Sequence, residues 1–203
     1  MAADTYSFSF TTGSLFFQES VEVATLFLRL RNWTSVRDAV LTDNLLHFKT
    51  TNSLKRVYRE VASRLKLLCE AELNLLVCGT AQEQAHVLWI AVCRRYQLIA
   101  DFAREVVRER YINFKTTLDH GDFDVFFNRK AEWHSELDRV ADTTRVKGRQ
   151  IVFKMLKEVG LLTFDCYINS TILSARLLQS LPAQRREDVF WFPVSPVDLR
   201  RWA

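Results

Sequence analysis

Apolar residues recur every three to four positions along most of this chain, which is the spacing of helices that bury one face. The pattern predicts a first helix over residues 14–31, with Ser14 as its N-cap. A short helix follows from Thr34 and breaks near Asp43 and Asn44. Residues 52–68, "NSLKRVYREVASRLKLL", form the next, with Thr51, Asn52 or Ser53 as cap; the pattern continues through "CEAELNLLVCG" to a stop at Gly79. A second set begins at Thr80 with "TAQEQAHVLWIAVCRRY" and "QLIADFAREVVRERYINF". "TTLDHGDFD" is a loop, with Asp122 or Asp124 capping "DVFFNRKAEW"; residues 135–142 read as a connection. "TTRVKGRQIVFKMLKEVG" is the last long helix, closed by Gly160.

Beyond Gly160 the pattern changes. "LLTFDCYINS" is short and rich in β-formers, "TILSARLLQSL" is helical again, and "DVFWFPVSPVDLRRWA" reads as an extended, packed tail. The expected fold is all-α: a compact multi-helix bundle with a short β-like wing or extended tail near the C-terminus. Two lobes, 5–79 and 80–203, are one division of it, and a single continuous domain is the other.

Composition agrees with this class. Only five Gly and three Pro occur in 203 residues, too few for the turns of an all-β fold. The longest strongly apolar stretch, "VLWIAVC", is far short of the roughly 20 residues a membrane-spanning helix needs. "MAADTYSFSF" has no basic segment leading into an apolar run, so no signal peptide is expected, and the expected location is cytoplasmic. Cys69, Cys78, Cys93 and Cys166 form no C-x-x-C pair and read as small buried hydrophobes in a reducing compartment.

Charge alters the picture more. The formal net charge is +4, a modest excess whose distribution matters more than its sum. On a wheel of about 100° per residue, Leu54, Val57, Tyr58, Val61, Leu65 and Leu68 share one arc, the core face. Lys55, Arg59 and Lys66 share a narrow ridge beside it, Arg56 lies near the far side, Arg64 lies close to the opposite seam, and Glu60 points elsewhere. Long cations beside an apolar face can simply snorkel over it. A second basic helix argues for more: Arg145, Lys147, Arg149, Lys154 and Lys157 meet few acids, and cations in its first turns oppose the helix dipole. Such a cluster is easier to explain if phosphate binds there. Its polar start and the β-like stretch after it resemble a recognition helix with a small wing.

Catalytic patterns are missing. The sequence has no phosphate-cradling glycine loop, no G-x-S-x-G and no H-E-x-x-H, and its four histidines are scattered. The densest acidic cluster, Asp119, Asp122 and Asp124, lacks the ligand ladder of a calcium loop and reads as a loop and helix cap. No enzyme activity, metal, cofactor or small-molecule substrate is expected. The mixed charges of "RRYQLIADFAREVVRERY" read as an ordinary surface helix. Trp89 reads as core, and Trp191 and Trp202 as packing or partner anchors.

The ordered series "NLL" (44–46), "SLKRVYREVASRLKLL", "GTAQEQAHVLWIAVCRRYQLIADFAREVVRERY", "DFDVFFNRKAEWHSEL" and "TTRVKGRQIVFKMLKEVGLL" resembles the BrxA family of BREX (bacteriophage exclusion) defence systems, over residues 6–181. The resemblance implies an all-helical fold related to the NusB antitermination factor. It also implies duplex DNA binding without known catalysis, beside other BREX proteins in one defence locus. It supplies no site residues. From charge alone the candidates are Lys55, Arg56, Arg59 and Lys66, with Arg145, Lys147, Arg149 and Lys154, each neutralising backbone phosphate. Two alternatives stand beside this: an RNA-binding NusB-like protein, or a protein–protein adaptor whose basic faces meet acidic partners and whose aromatic tail "VFWFPVSP" docks.

Overall fold

A computed structural model describes residues 6–11 and 13–195. The described chain is mostly helical, with no sheet. An N-terminal strap with one 3-10 turn (Ser9–Thr11) leads into α1 (Phe17–Leu30) and α2 (Trp33–Thr42). Then come α3 (Thr51–Leu65), α4 (Glu70–Cys78) and α5 (Ala81–Arg95). α6 (Gln97–Phe102) runs through a π-helical segment (Ala103–Arg108) into α7 (Glu109–Ile112). The remaining helices are α8 (His120–Ala131), α9 (Ser135–Asp138), α10 (Asp142–Val159) and α11 (Ala175–Ser180), followed by a 3-10 segment (Ala183–Trp191).

Local chemistry sets these boundaries. α1 has no side-chain cap; Phe16 enters it in the left-handed region, and Ser14 lies outside, its hydroxyl accepting from the Phe16 N–H at 3.4 Å. Asn32, not Thr34, caps α2 by accepting from the Thr34 and Ser35 N–H groups. Thr50 caps α3 through the Ser53 N–H. α3 does not continue into α4: residues 66–69 turn, and Glu72 starts α4 by reaching back to the Cys69 N–H at 2.7 Å. Thr80 and Glu83 cap α5 reciprocally. On α8 the cap is Asp119, with Asp122 completing the box, so the acidic cluster does serve a helix start, three residues before the nearer of the two expected caps. Gly160, at φ 83°, closes α10 in the left-handed conformation that glycine adopts without penalty.

α5 is the central helix and packs against α1, α3, α4, α6 and α10. Its stretch Val87, Leu88, Trp89, Ile90, Ala91, Val92 and Cys93 is buried on every side, which is why it reads as continuously apolar. The core cluster takes in residues on both sides of Gly79. The strap crosses α10 where Gly148 leaves room: a Cβ there would lie 2.3 Å from the Phe8 ring. At its start, the Tyr6 hydroxyl donates to Asp101 at 2.5 Å, and burial together with that carboxylate pushes the phenol up to about 12.

The β-like stretch makes two isolated antiparallel bridges, Thr117 with Tyr167 and Leu162 with Ile168, rather than a full wing. The tail packs inward. Phe192 and Val194 are buried, and the Trp191 carbonyl accepts from the Trp89 indole N–H at 3.0 Å. Residues 196–203, with Trp202, lie outside the described residues.

Candidate nucleic-acid interface

α3 buries the predicted face: Leu54, Val57, Tyr58, Val61, Leu65 and Leu68 all lie in the core. Its charges are then sorted by depth. Arg64 is buried rather than at a surface seam. Its Nε donates to Glu60 at 2.8 Å and its Nη1 to the Ser14 carbonyl at 2.8 Å. Glu60 also accepts from the Tyr96 hydroxyl at 2.5 Å. The one acid of α3 is therefore turned inward and satisfied by an internal cation. Lys55, Arg56, Arg59 and Lys66 remain exposed on the outer side.

α2 packs beside α3 and adds a fifth cation. Arg37, Lys55, Arg59 and Lys66 line one open groove of about 390 Å³, with Leu41, Tyr58, Ala62 and Ser63 as its other walls. No carboxylate lines it. Arg56 stays outside the groove, on the same exposed helix. One end is built on aromatics: Trp33 stacks on Phe27 at 4.1 Å, and the Lys66 ammonium sits 5.5 Å from the Trp33 ring. Tyr58 forms the floor, its hydroxyl donating to the Trp33 carbonyl at 3.3 Å. Burial pushes the Tyr58 phenol up; Arg37 partly opposes it, and the nearby Asp38 carboxylate, outside the groove lining, adds to it. Four cations on one groove wall with no carboxylate in its lining make the local potential positive.

The α10 cluster is different. Arg145 pairs with Asp124 at 3.1 Å, and Arg149 pairs with the second oxygen of the same carboxylate. Lys154 lies 3.7 Å from Glu158, whose other oxygen accepts from the Leu15 N–H. Lys147 alone of the α10 candidates is exposed without an ion-pair partner among the described residues. The α10 cations, which meet few acids within their own helix, meet Asp124 from α8 across the fold, so the first turns of α10 are tied to α8. The strap separates this helix from α3, since Arg64 holds Ser14 while Glu158 holds Leu15.

Arg37 escaped sequence reasoning. Its sole signal is an edge position beside the apolar Val36, Val40 and Leu41, which Asp38 shares. The helix expected to be an ordinary charged surface is also different inside. Arg94 is buried against Glu72 and Asp188, and the Arg104 and Arg108 guanidiniums lie over the Phe190 ring at 5.7 and 4.9 Å. Burial pulls Arg94 down, but the two carboxylates outweigh it and hold it above its ordinary value. Among the described residues, no group of three or more His, Cys, Asp or Glu is placed to hold a metal ion, and no helix is long and apolar enough to cross a membrane.

Fold and surface together define a helical protein with a cationic groove that no carboxylate lines. The BrxA family profile matches residues 4–185, and the chain belongs to that family. A relative named "BREX protein BrxA" from Bacillus cereus (strain H3081.97) is 23% identical over 157 residues, covering 77% of this chain and 78% of its own. Another of that name from Escherichia coli O9:H4 (strain HS) is 26% identical over 148 residues, covering 73% of this chain and 70% of its own. A crystal structure of an uncharacterized protein from Magnetospirillum magneticum superposes with a TM-score of 0.79 at 21% identity, covering 93% of this chain and 97% of that one. That likeness establishes the shared fold.

Proposed function

We propose that this chain is a non-catalytic component of a BREX phage-defence system that binds duplex DNA through backbone phosphates. One observation carries the reading: Arg37, Lys55, Arg59 and Lys66 line a common groove that no carboxylate enters. Each cation placed on a phosphate releases condensed counterions, a gain that does not depend on sequence. Base edges play little part in such contacts, so selectivity among duplexes is weak.

Competition experiments test the choice of nucleic acid. Labelled duplex DNA bound to the protein is challenged with unlabelled duplex DNA, duplex RNA and single strands. Duplex DNA displaces the label at the lowest concentration; displacement by RNA at lower concentration replaces this reading with RNA binding.

An adaptor role is the second reading, and a specific surface favours it. The loops joined by the bridge between Thr117 and Tyr167 display Phe114 and Phe164, at 92% and 90% exposure, together with the exposed Tyr167. The aromatic tail no longer supports that role in its described part, because Phe192 and Val194 are core residues. Truncating Phe114, Phe164 and Tyr167 to Ala leaves DNA affinity unchanged if the groove is the site, and abolishes partner capture if the aromatic tip is.

A further inference from the structure

The first turns of α10 hold an anion that belongs to the chain itself. Asp124 stands one turn into α8. Its Oδ1 accepts from Arg145 Nε at 3.2 Å, and its Oδ2 accepts from Arg149 Nη1. Arg145 is preset for this contact: its Nη1 donates to Asn128 Oδ1 at 2.8 Å and its guanidinium lies 5.2 Å from the Phe127 ring centre. Arg149 Nε is buried with no hydrogen-bond partner among the described residues. Two guanidiniums face one carboxylate, so the cluster keeps one unit of positive charge and one donor unfilled.

Two oxygens of one anion shared between two arginine forks is also how a phosphodiester is held, through its two non-bridging oxygens. Lys147, on the intervening turn, is exposed and has no ion-pair partner among the described residues. We propose that Arg145 and Arg149 form a second phosphodiester site, kept closed by Asp124 standing where phosphate would bind. The proposal rests on the phosphate-binding reading above and adds a threshold to it. A tethered carboxylate is always at hand, so a weakly held polyanion does not displace it. Duplex phosphate has to outcompete that carboxylate before the two arginines contribute to binding.

The test compares the full chain with Asp124→Asn, using a fluorescent DNA duplex titrated at several salt concentrations. Asp165→Asn serves as the charge control, since Asp165 is exposed and makes no ion pair among the described residues. Asp124→Asn is expected to bind roughly tenfold tighter than the control, with a salt slope steeper by about 0.9, the increment for one added phosphate contact. Adding Arg145→Gln and Arg149→Gln to it returns the slope to that of the unaltered chain. If helical circular dichroism shows that the asparagine variant does not fold, Asp124→Ser carries the comparison. A variant no tighter than Asp165→Asn, against an unaltered chain that binds with a salt slope, overturns the closed site and leaves the groove standing. If neither the unaltered chain nor the variant binds duplex, both proposals fall. If the variant alone binds, the closed site is upheld and the groove is not.

Discussion

Arg94 grips Glu72 with both terminal nitrogens, at 2.8 and 2.6 Å, where the two side chains are 3% and 1% exposed. Its Nε turns the other way, to Asp188 at 2.7 Å. A single guanidinium therefore ties α4 and α5 to the 3-10 segment that carries the buried tail. Burial pushes the Asp188 carboxyl up even beside this cation.

Breaking that clasp leaves charge stranded in the core. Arg94→Ala removes the partner of two buried carboxylates and is expected to cost about 3–5 kcal/mol, read as a lower midpoint in urea unfolding. Glu72→Gln costs less, because Asp188 still compensates the arginine. Equal losses from the two substitutions would mean that Asp188 plays no part.

Gly148 and Phe8 are coupled. Placing a methyl on α10 at this position puts it 2.3 Å from the Phe8 ring, so Gly148→Ala is expected to destabilise the unaltered chain by about 1–3 kcal/mol. With Phe8→Ala already present, the same change gains up to about 1 kcal/mol from helix propensity. Thermal melts of the four combinations give the coupling, and additive effects would separate the strap from α10.

His86 makes stability depend on acidity. Burial pushes its imidazole down to about 4 from the ordinary 6.5, against a small opposing pull from Glu83. It packs edge-on to Phe192 at 5.1 Å and contacts Gln82 at 2.6 Å. A depressed histidine is neutral in the fold and charges more readily unfolded. Its contribution is whole above about pH 6.5 and is lost as pH falls toward 4, by about 3 kcal/mol in all. His86→Gln should flatten the unfolding free energy between those limits; an unchanged slope would assign the acid sensitivity elsewhere.

Much of the fold is written in the apolar period. The core residues predicted on α3 (Leu54, Val57, Tyr58, Val61 and Leu65), the continuous burial of "VLWIAVC" and the stops at Gly79 and Gly160 are each consequences of spacing within one helix. Caps were less legible, because several hydroxyls or carboxylates sit near each helix start and backbone entry angle decides among them: Asn32 over Thr34, Thr50 over Thr51, Asp119 over Asp122. The site was legible by halves. Lys55, Arg59 and Lys66 share a ridge by periodicity alone. Arg37 reaches the same groove only through the packing of α2 on α3. Asp124 meets Arg145 and Arg149 across 21 and 25 positions of chain, a pairing no local pattern carries. Exposed cations and paired cations look alike in sequence; the acid that lies opposite in space tells them apart.

The central claim is that the α2–α3 groove neutralises phosphate. Duplex DNA affinity measured against salt for the unaltered chain and for Arg37→Ala/Lys55→Ala/Arg59→Ala/Lys66→Ala tests it most directly. The groove account predicts that log K falls linearly with log salt, and that the fourfold variant loses up to about 3.6 units of that slope, near 0.9 for each phosphate contact removed. A fourfold variant that stays folded and keeps the full slope would contradict it.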